Sequence, residues 1–149
     1  MERAYRNNKM EDGEYRRKLT DVLYSYQLSG FLCDTTVELS DGQVSAHSLV
    51  LAAASSILQA AFNQCDDDDS DLSSRFRPRF KIQVPDCDSA AMNIAIYYIY
   101  TGRIDVPGGD GSLRSKLASR VAVTLDKLGV TMSGWRTHEA KSVEDIGLV

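Results

Sequence analysis

A chain of 149 residues, 43% apolar and 26% charged, can bury one compact core and is short for two. Its formal net charge of −4 argues against a surface that is a nucleic-acid footprint throughout, because duplex binding rests on Lys and Arg neutralising phosphates. Cys33, Cys65 and Cys87 form no Cys-x-x-Cys pair and only His47 and His138 could complete a metal set, so no metal or cofactor is expected and a reducing, intracellular setting fits.

The first 13 residues are polar, mixed in charge and without period, and read as a disordered leader over 1–13. They lack the apolar segment of a secretory signal, and no later stretch approaches the roughly 18 apolar residues that would span a bilayer, so no membrane partner is expected. From Glu14 to Leu28, Tyr15, Leu19, Val22, Leu23 and Tyr26 keep helical spacing, and Ser29-Gly30 supplies the stop. Cys33, Thr35, Val37 and Leu39 then alternate with polar residues, and Asp41-Gly42 turns the chain into Gln43-Val44-Ser45-Ala46, a β-hairpin. Two short helices follow, the second capped at Ser55-Ser56 and carrying Ile57, Leu58, Ala61 and Phe62 on one side.

Residues 65–79 join an acidic run, Asp66 to Asp71, to a basic one, Arg75 to Arg79, and read as a surface loop. Phe80, Ile82 and Val84 alternate as a strand. Asp88 suits the N-cap of a strongly apolar helix through Met92, Ala95, Ile96, Ile99 and Tyr100, which stops at Gly102. Ile104 and Val106 suggest a short extended piece before a Gly-rich connector. Leu113, Leu117, Val121, Leu125 and Leu128 then give a last core helix up to Gly129, and the tail over 131–149, with Trp135, shows little period and is expected to be partly disordered.

In that order of elements, Gly30-Phe31-Leu32-Cys33-Asp34-Thr35-Thr36-Val37-Glu38-Leu39, Ala46-His47-Ser48-Leu49-Val50-Leu51-Ala52-Ala53-Ala54-Ser55, Leu58-Gln59-Ala60-Ala61-Phe62 and Ile99-Tyr100-Thr101-Gly102 resemble the BTB/POZ signature. The resemblance runs from about Tyr15 to Gly129 and places a single domain at 14–130. It implies an α/β chain of the α+β type, a helical cluster flanked by a small sheet with a β-hairpin. It also implies a dimerising adaptor that pairs as a homodimer, or as a heterodimer with another BTB protein. Many members bring substrates to a cullin scaffold of ubiquitin ligases; others recruit corepressors to transcription regulators.

The apolar stripe Leu19, Val22, Leu23 and Tyr26 on the first helix is the expected dimer interface, since a chain of this size gains by burying it against a second copy. Asp34 and His47 match the family's polar pair, His47 as a hydrogen-bonded structural residue that donates to Asp34 or to a carbonyl. The family usually follows that His with Lys or Arg, where this chain has Ser48. Cullin-recruiting members place a hydrophobic-x-Glu motif after the helix ending in the signature Phe; the equivalent here, Cys65-Asp66-Asp67, is a weak substitute, and Leu58, Phe62, Cys65 and Asp67 are the candidate cullin-facing residues. Ser, His and Asp residues are present but at no spacing that supports a nucleophile elbow, and Gly108-Gly109-Asp110-Gly111 has no GK[ST] after it, so no catalytic residue is assigned.

Overall fold

The computed structural model describes residues 4–6, 9–64, 79–108 and 111–132. The expected surface loop over 65–78 and the tail with Trp135 lie outside the described residues. Within the expected leader, β1 (Ala4–Arg6) and β2 (Lys9–Glu11) pair antiparallel, so this segment is not without structure as its composition suggests. The physical reason is local: the strands of a two-stranded ribbon bond to each other and can pair without a hydrophobic period. Helix α1 (Gly13–Ser29) begins directly after it, with Asp12 accepting from the Tyr15 N–H at 3.1 Å as N-cap.

The central sheet has the order β4-β3-β5. Strands β3 (Thr35–Leu39) and β4 (Gly42–Ala46) form the expected hairpin across Ser40-Asp41. Strand β5 (Phe80–Val84) lies parallel to β3, Val37 opposite Ile82. Parallel neighbours need a crossover, and the crossover contains α2 (Ser48–Ala54) and α3 (Ser56–Asn63). Because β3 is central, Thr35, Thr36 and Val37 are all buried, and the alternation expected of a half-exposed strand is lost there.

Helices α4 (Ser89–Thr101) and α5 (Gly111–Lys127) complete the cluster. Asp88 caps α4 through the Ala91 N–H at 2.8 Å, as its sequence position predicts. Residues 103–108 form no strand, so the extended piece expected around Ile104 and Val106 is absent; Ile104 instead packs against the core. Leu51, Leu58, Ile82, Met92, Ile96 and Leu125 are fully buried at the centre, where both short helices, the sheet and α4–α5 meet. The core continues to Val130 and Met132, past the expected boundary at 130, because the chain leaving α5 folds back over α3.

Candidate functional site

Helix α1 has two apolar faces. The inner one, Leu23 and Tyr24, packs on the core against α4, and Gln27 is buried with its Nε2 donating to the Ser45 carbonyl at 2.9 Å. The outer one is Tyr15, Leu19, Val22 and Tyr26, exposed by 64, 48, 46 and 38%. Leu23, expected at an interface with a second copy, therefore belongs to the fold of its own chain. Helical spacing leaves the choice open, since Leu23 lies one turn from both Leu19 and Gln27; the packing decides it, covering Leu23 and Gln27 and leaving Leu19, Val22 and Tyr26 outside.

The outer face does not end with the helix. Gly30, in the left-handed region at φ 79°, turns the chain so that the Phe31 N–H bonds to the Tyr26 carbonyl at 2.9 Å. The Tyr26 and Phe31 rings then meet at 4.8 Å, and Phe31 and Leu32 stand 51 and 74% exposed. Single exposed apolar side chains are ordinary on a protein surface, but a run of six on one helix face and the turn that continues it makes this the candidate interaction surface.

Beneath this surface lies the polar pair. Asp34 accepts from the Ser48 N–H at 2.7 Å, from the Ser48 hydroxyl at 2.5 Å and from the Thr35 hydroxyl at 3.1 Å. Ser48 thus stands where the family's cation is expected, satisfying the carboxylate with two donors and no charge. Among the described residues no hydrogen bond joins Asp34 to His47. His47 Nε2 donates to the Phe31 carbonyl at 2.8 Å, and Nδ1 lies 2.5 Å from the Tyr100 hydroxyl, which also accepts from the His47 backbone N–H at 3.0 Å. A carbonyl can only accept, so the ring proton is assigned to Nε2 and Tyr100 donates to Nδ1. Burial pushes the Tyr100 phenol well above its ordinary value, with the nearby Cys33 and Asp34 adding to the rise, so it keeps the proton it donates.

Cys33, half-buried, has its Sγ 3.7 Å from His47 Nε2, and burial, then the Asp34 charge, pushes its thiol up. Tyr100 and the Phe31-Leu32 turn were not singled out by sequence reasoning as site residues. The only signal was their place inside the family-like segments.

Of the candidate cullin-facing residues, Leu58 and Phe62 lie among the described residues. Leu58 is wholly buried, a correction that follows from the Ser55 hydroxyl capping its N–H at 3.2 Å and turning Leu58 and Ala61 inward. Phe62 is half-buried with its ring 4.8 Å from that of Phe80. Cys65 and Asp67 lie outside the described residues. Between α4 and α5 a cavity of about 180 Å³ has Cys87, Ala91 and Thr124 in its lining, but the Arg120–Asp88 ion pair at 2.9 Å belongs to the same wall. That is below the size of ordinary small-molecule sites. Among the described residues no group of three or more His, Cys, Asp or Glu is placed to hold a metal, and no helix is long and apolar enough to cross a membrane.

Comparison with known proteins agrees with this architecture. A family model described as BTB/POZ domain matches residues 23–138. Kelch-like protein 2 of Homo sapiens is 29% identical over 92 residues, which are 62% of this chain; the chain spans 14% of that protein's length. The BTB domain of zebrafish PATZ1 has a similar structure, with a TM-score of 0.55 at 14% identity, covering 84% of this chain and 86% of that one. At that identity the likeness shows a shared fold.

Proposed function

This chain belongs to the BTB/POZ domain family, a family of protein-interaction modules, and from that premise we propose that it pairs with a second BTB fold through the outer face of α1 and serves as an adaptor. The observation that carries the reading is the exposed stripe Tyr15, Leu19, Val22 and Tyr26 on a helix whose inner face is already fully used. A helix needs one apolar face to join its own core, and a second has no role in the monomer. A two-fold axis along this stripe lets the same residues meet themselves. Sedimentation equilibrium of the chain is the test. Leu19→Asp is expected to convert dimers to monomers that remain folded, and an unchanged mass would count against the proposal.

For what the adaptor recruits, we favour a cullin-type ubiquitin ligase scaffold. The similarity to Kelch-like protein 2 supports it, although it spans 62% of this chain. The other reading, a corepressor-recruiting module of a transcription regulator, is weakened by Ser48, which stands beside Asp34 where the charged groove implied for those members has a cation. A pull-down of a cullin by the purified chain, lost on Phe62→Ala with dimerisation intact, is the outcome expected of the first reading.

A further inference from the structure

Four exposed apolar side chains on α1 are few for a specific interface, which buries on the order of 1,200 Å² or more in total. Phe31 and Leu32, 51 and 74% exposed, extend that face beyond the helix. The turn that carries them is held in an unfavourable shape. Leu32 is the one non-glycine residue with a positive φ, 58°, among the described residues, and its side chain is 74% exposed. A residue with a Cβ adopts that conformation only where its surroundings over-determine it. No contact of the Leu32 side chain with the core does so. The neighbouring backbone is what is held, at two points: the Cys33 N–H closes the turn on the Gly30 carbonyl at 3.2 Å, and the Phe31 carbonyl takes the His47 Nε2–H at 2.8 Å, His47 being fixed in turn by Tyr100 of α4 at Nδ1 and at its backbone N–H.

We propose that His47 and Tyr100 are positioning residues for self-association: they transmit the rigidity of α4 to the Phe31-Leu32 turn and present both side chains as an extension of the α1 face to a second copy of this chain. The proposal rests on the reading of that face as a self-association surface. It goes beyond it in placing control of affinity in two residues that lie below the exposed stripe, Tyr100 being buried at 4% exposure and His47 half-buried. Tyr26 links the two parts, its ring against Phe31 and its carbonyl holding the Phe31 N–H.

The experiment measures self-association of the full chain by sedimentation equilibrium, with urea unfolding and the Leu32 backbone chemical shifts in parallel. Leu19→Asp tests the surface itself; if it leaves the association of the parent unchanged, the self-association reading falls and this proposal with it. Where Leu19→Asp gives folded monomers, His47→Ala and Tyr100→Phe should weaken association by roughly tenfold or more and shift Leu32 away from left-handed values. His47→Gln keeps a side-chain N–H for the Phe31 carbonyl and should stay within about threefold of the parent. Leu32→Asn, which tolerates a positive φ, keeps the turn but removes its apolar tip and should also weaken association, with the unfolding midpoint unchanged. The proposal is overturned if His47→Ala and Tyr100→Phe lower the unfolding midpoint while association and the Leu32 shifts remain those of the parent. Should His47→Ala fail to fold, Tyr100→Phe, which removes a single oxygen and leaves the ring packed, decides alone.

Discussion

Asp34 caps a helix from which it is separated by a whole β-hairpin: its two carboxylate oxygens take the N–H and the hydroxyl of Ser48, the first residue of α2, at 2.7 and 2.5 Å. The residue in the N-cap position itself, His47, makes no side-chain cap bond, since its ring is engaged by Phe31 and Tyr100. The device is repeated at the other end of β3, where Asp41 takes the N–H and hydroxyl of Ser89, the first residue of α4, at 2.8 and 2.9 Å. Two acids flanking one strand thus orient two helices. Asp34→Ala should cost about 1–3 kcal/mol in urea unfolding, since it removes a cap and leaves the Ser48 donors without their carboxylate. Ser48→Ala, which keeps the backbone bond, should cost less.

Gly129 ends α5 in the left-handed region at φ 73°, with the Val130 N–H on the Leu125 carbonyl at 2.9 Å. A Cβ there would come within 2.7 Å of Ile57 Cδ1 and 2.9 Å of Ser55 Oγ, the cap of α3. Gly129→Ala combines an unfavourable φ with overpacking and should destabilise by about 2–3 kcal/mol, read as a lower urea midpoint at an unchanged slope.

The Ala91 N–H, with Arg120 beside the same carboxylate, holds Asp88 below its ordinary value of 3.8. A carboxyl lowered on folding stabilises the protein fully above its unfolded value and loses that contribution as pH falls through the folded one. The stability difference between the parent and Asp88→Ala, about 1 kcal/mol for a lost cap, should therefore be flat at neutral pH and shrink below about pH 4. A difference that grows in acid would contradict the assignment.

Cys33 is expected to alkylate slowly at neutral pH, because burial and the Asp34 charge disfavour its thiolate. Mass spectrometry of iodoacetamide-treated protein should place the midpoint of its pH–rate profile above that of a free thiol. Asp34→Asn should bring it back down, since it removes the second of those causes.

Leu23 and Leu19 separate fold from association. Leu23→Asp places a charge among core residues and should unfold the chain or cost several kcal/mol, whereas Leu19→Asp should leave the circular dichroism unchanged. A Leu23→Asp protein as stable as the parent would show that the inner face of α1 is not packed as described.

Sequence alone fixed the elements whose physics is local. Asp88 and Gly102 bracket α4, Ser55 caps α3, Gly30 ends α1, and the Asp41-Gly42 signal marks the hairpin to within one residue of its Ser40-Asp41 turn, because each depends on bonds between residues a few positions apart. The family-like segments likewise placed the fold class and the Asp34–His47 region. Periodicity could say that α1 carries an apolar stripe, but not which part of it its own chain would cover. That choice depends on α4 and β4, which meet α1 only in the folded molecule, and it moved Leu23 inward while leaving Leu19, Val22 and Tyr26 outside. The same holds for Leu58, sequestered by the packing of α3, and for the partners of Asp34 and His47. Ser48 lies 14 residues from Asp34, and Tyr100 lies 53 from His47. No spacing rule encodes such pairs, because only the burial of β3 between β4 and β5 and the docking of α4 bring them within bonding distance.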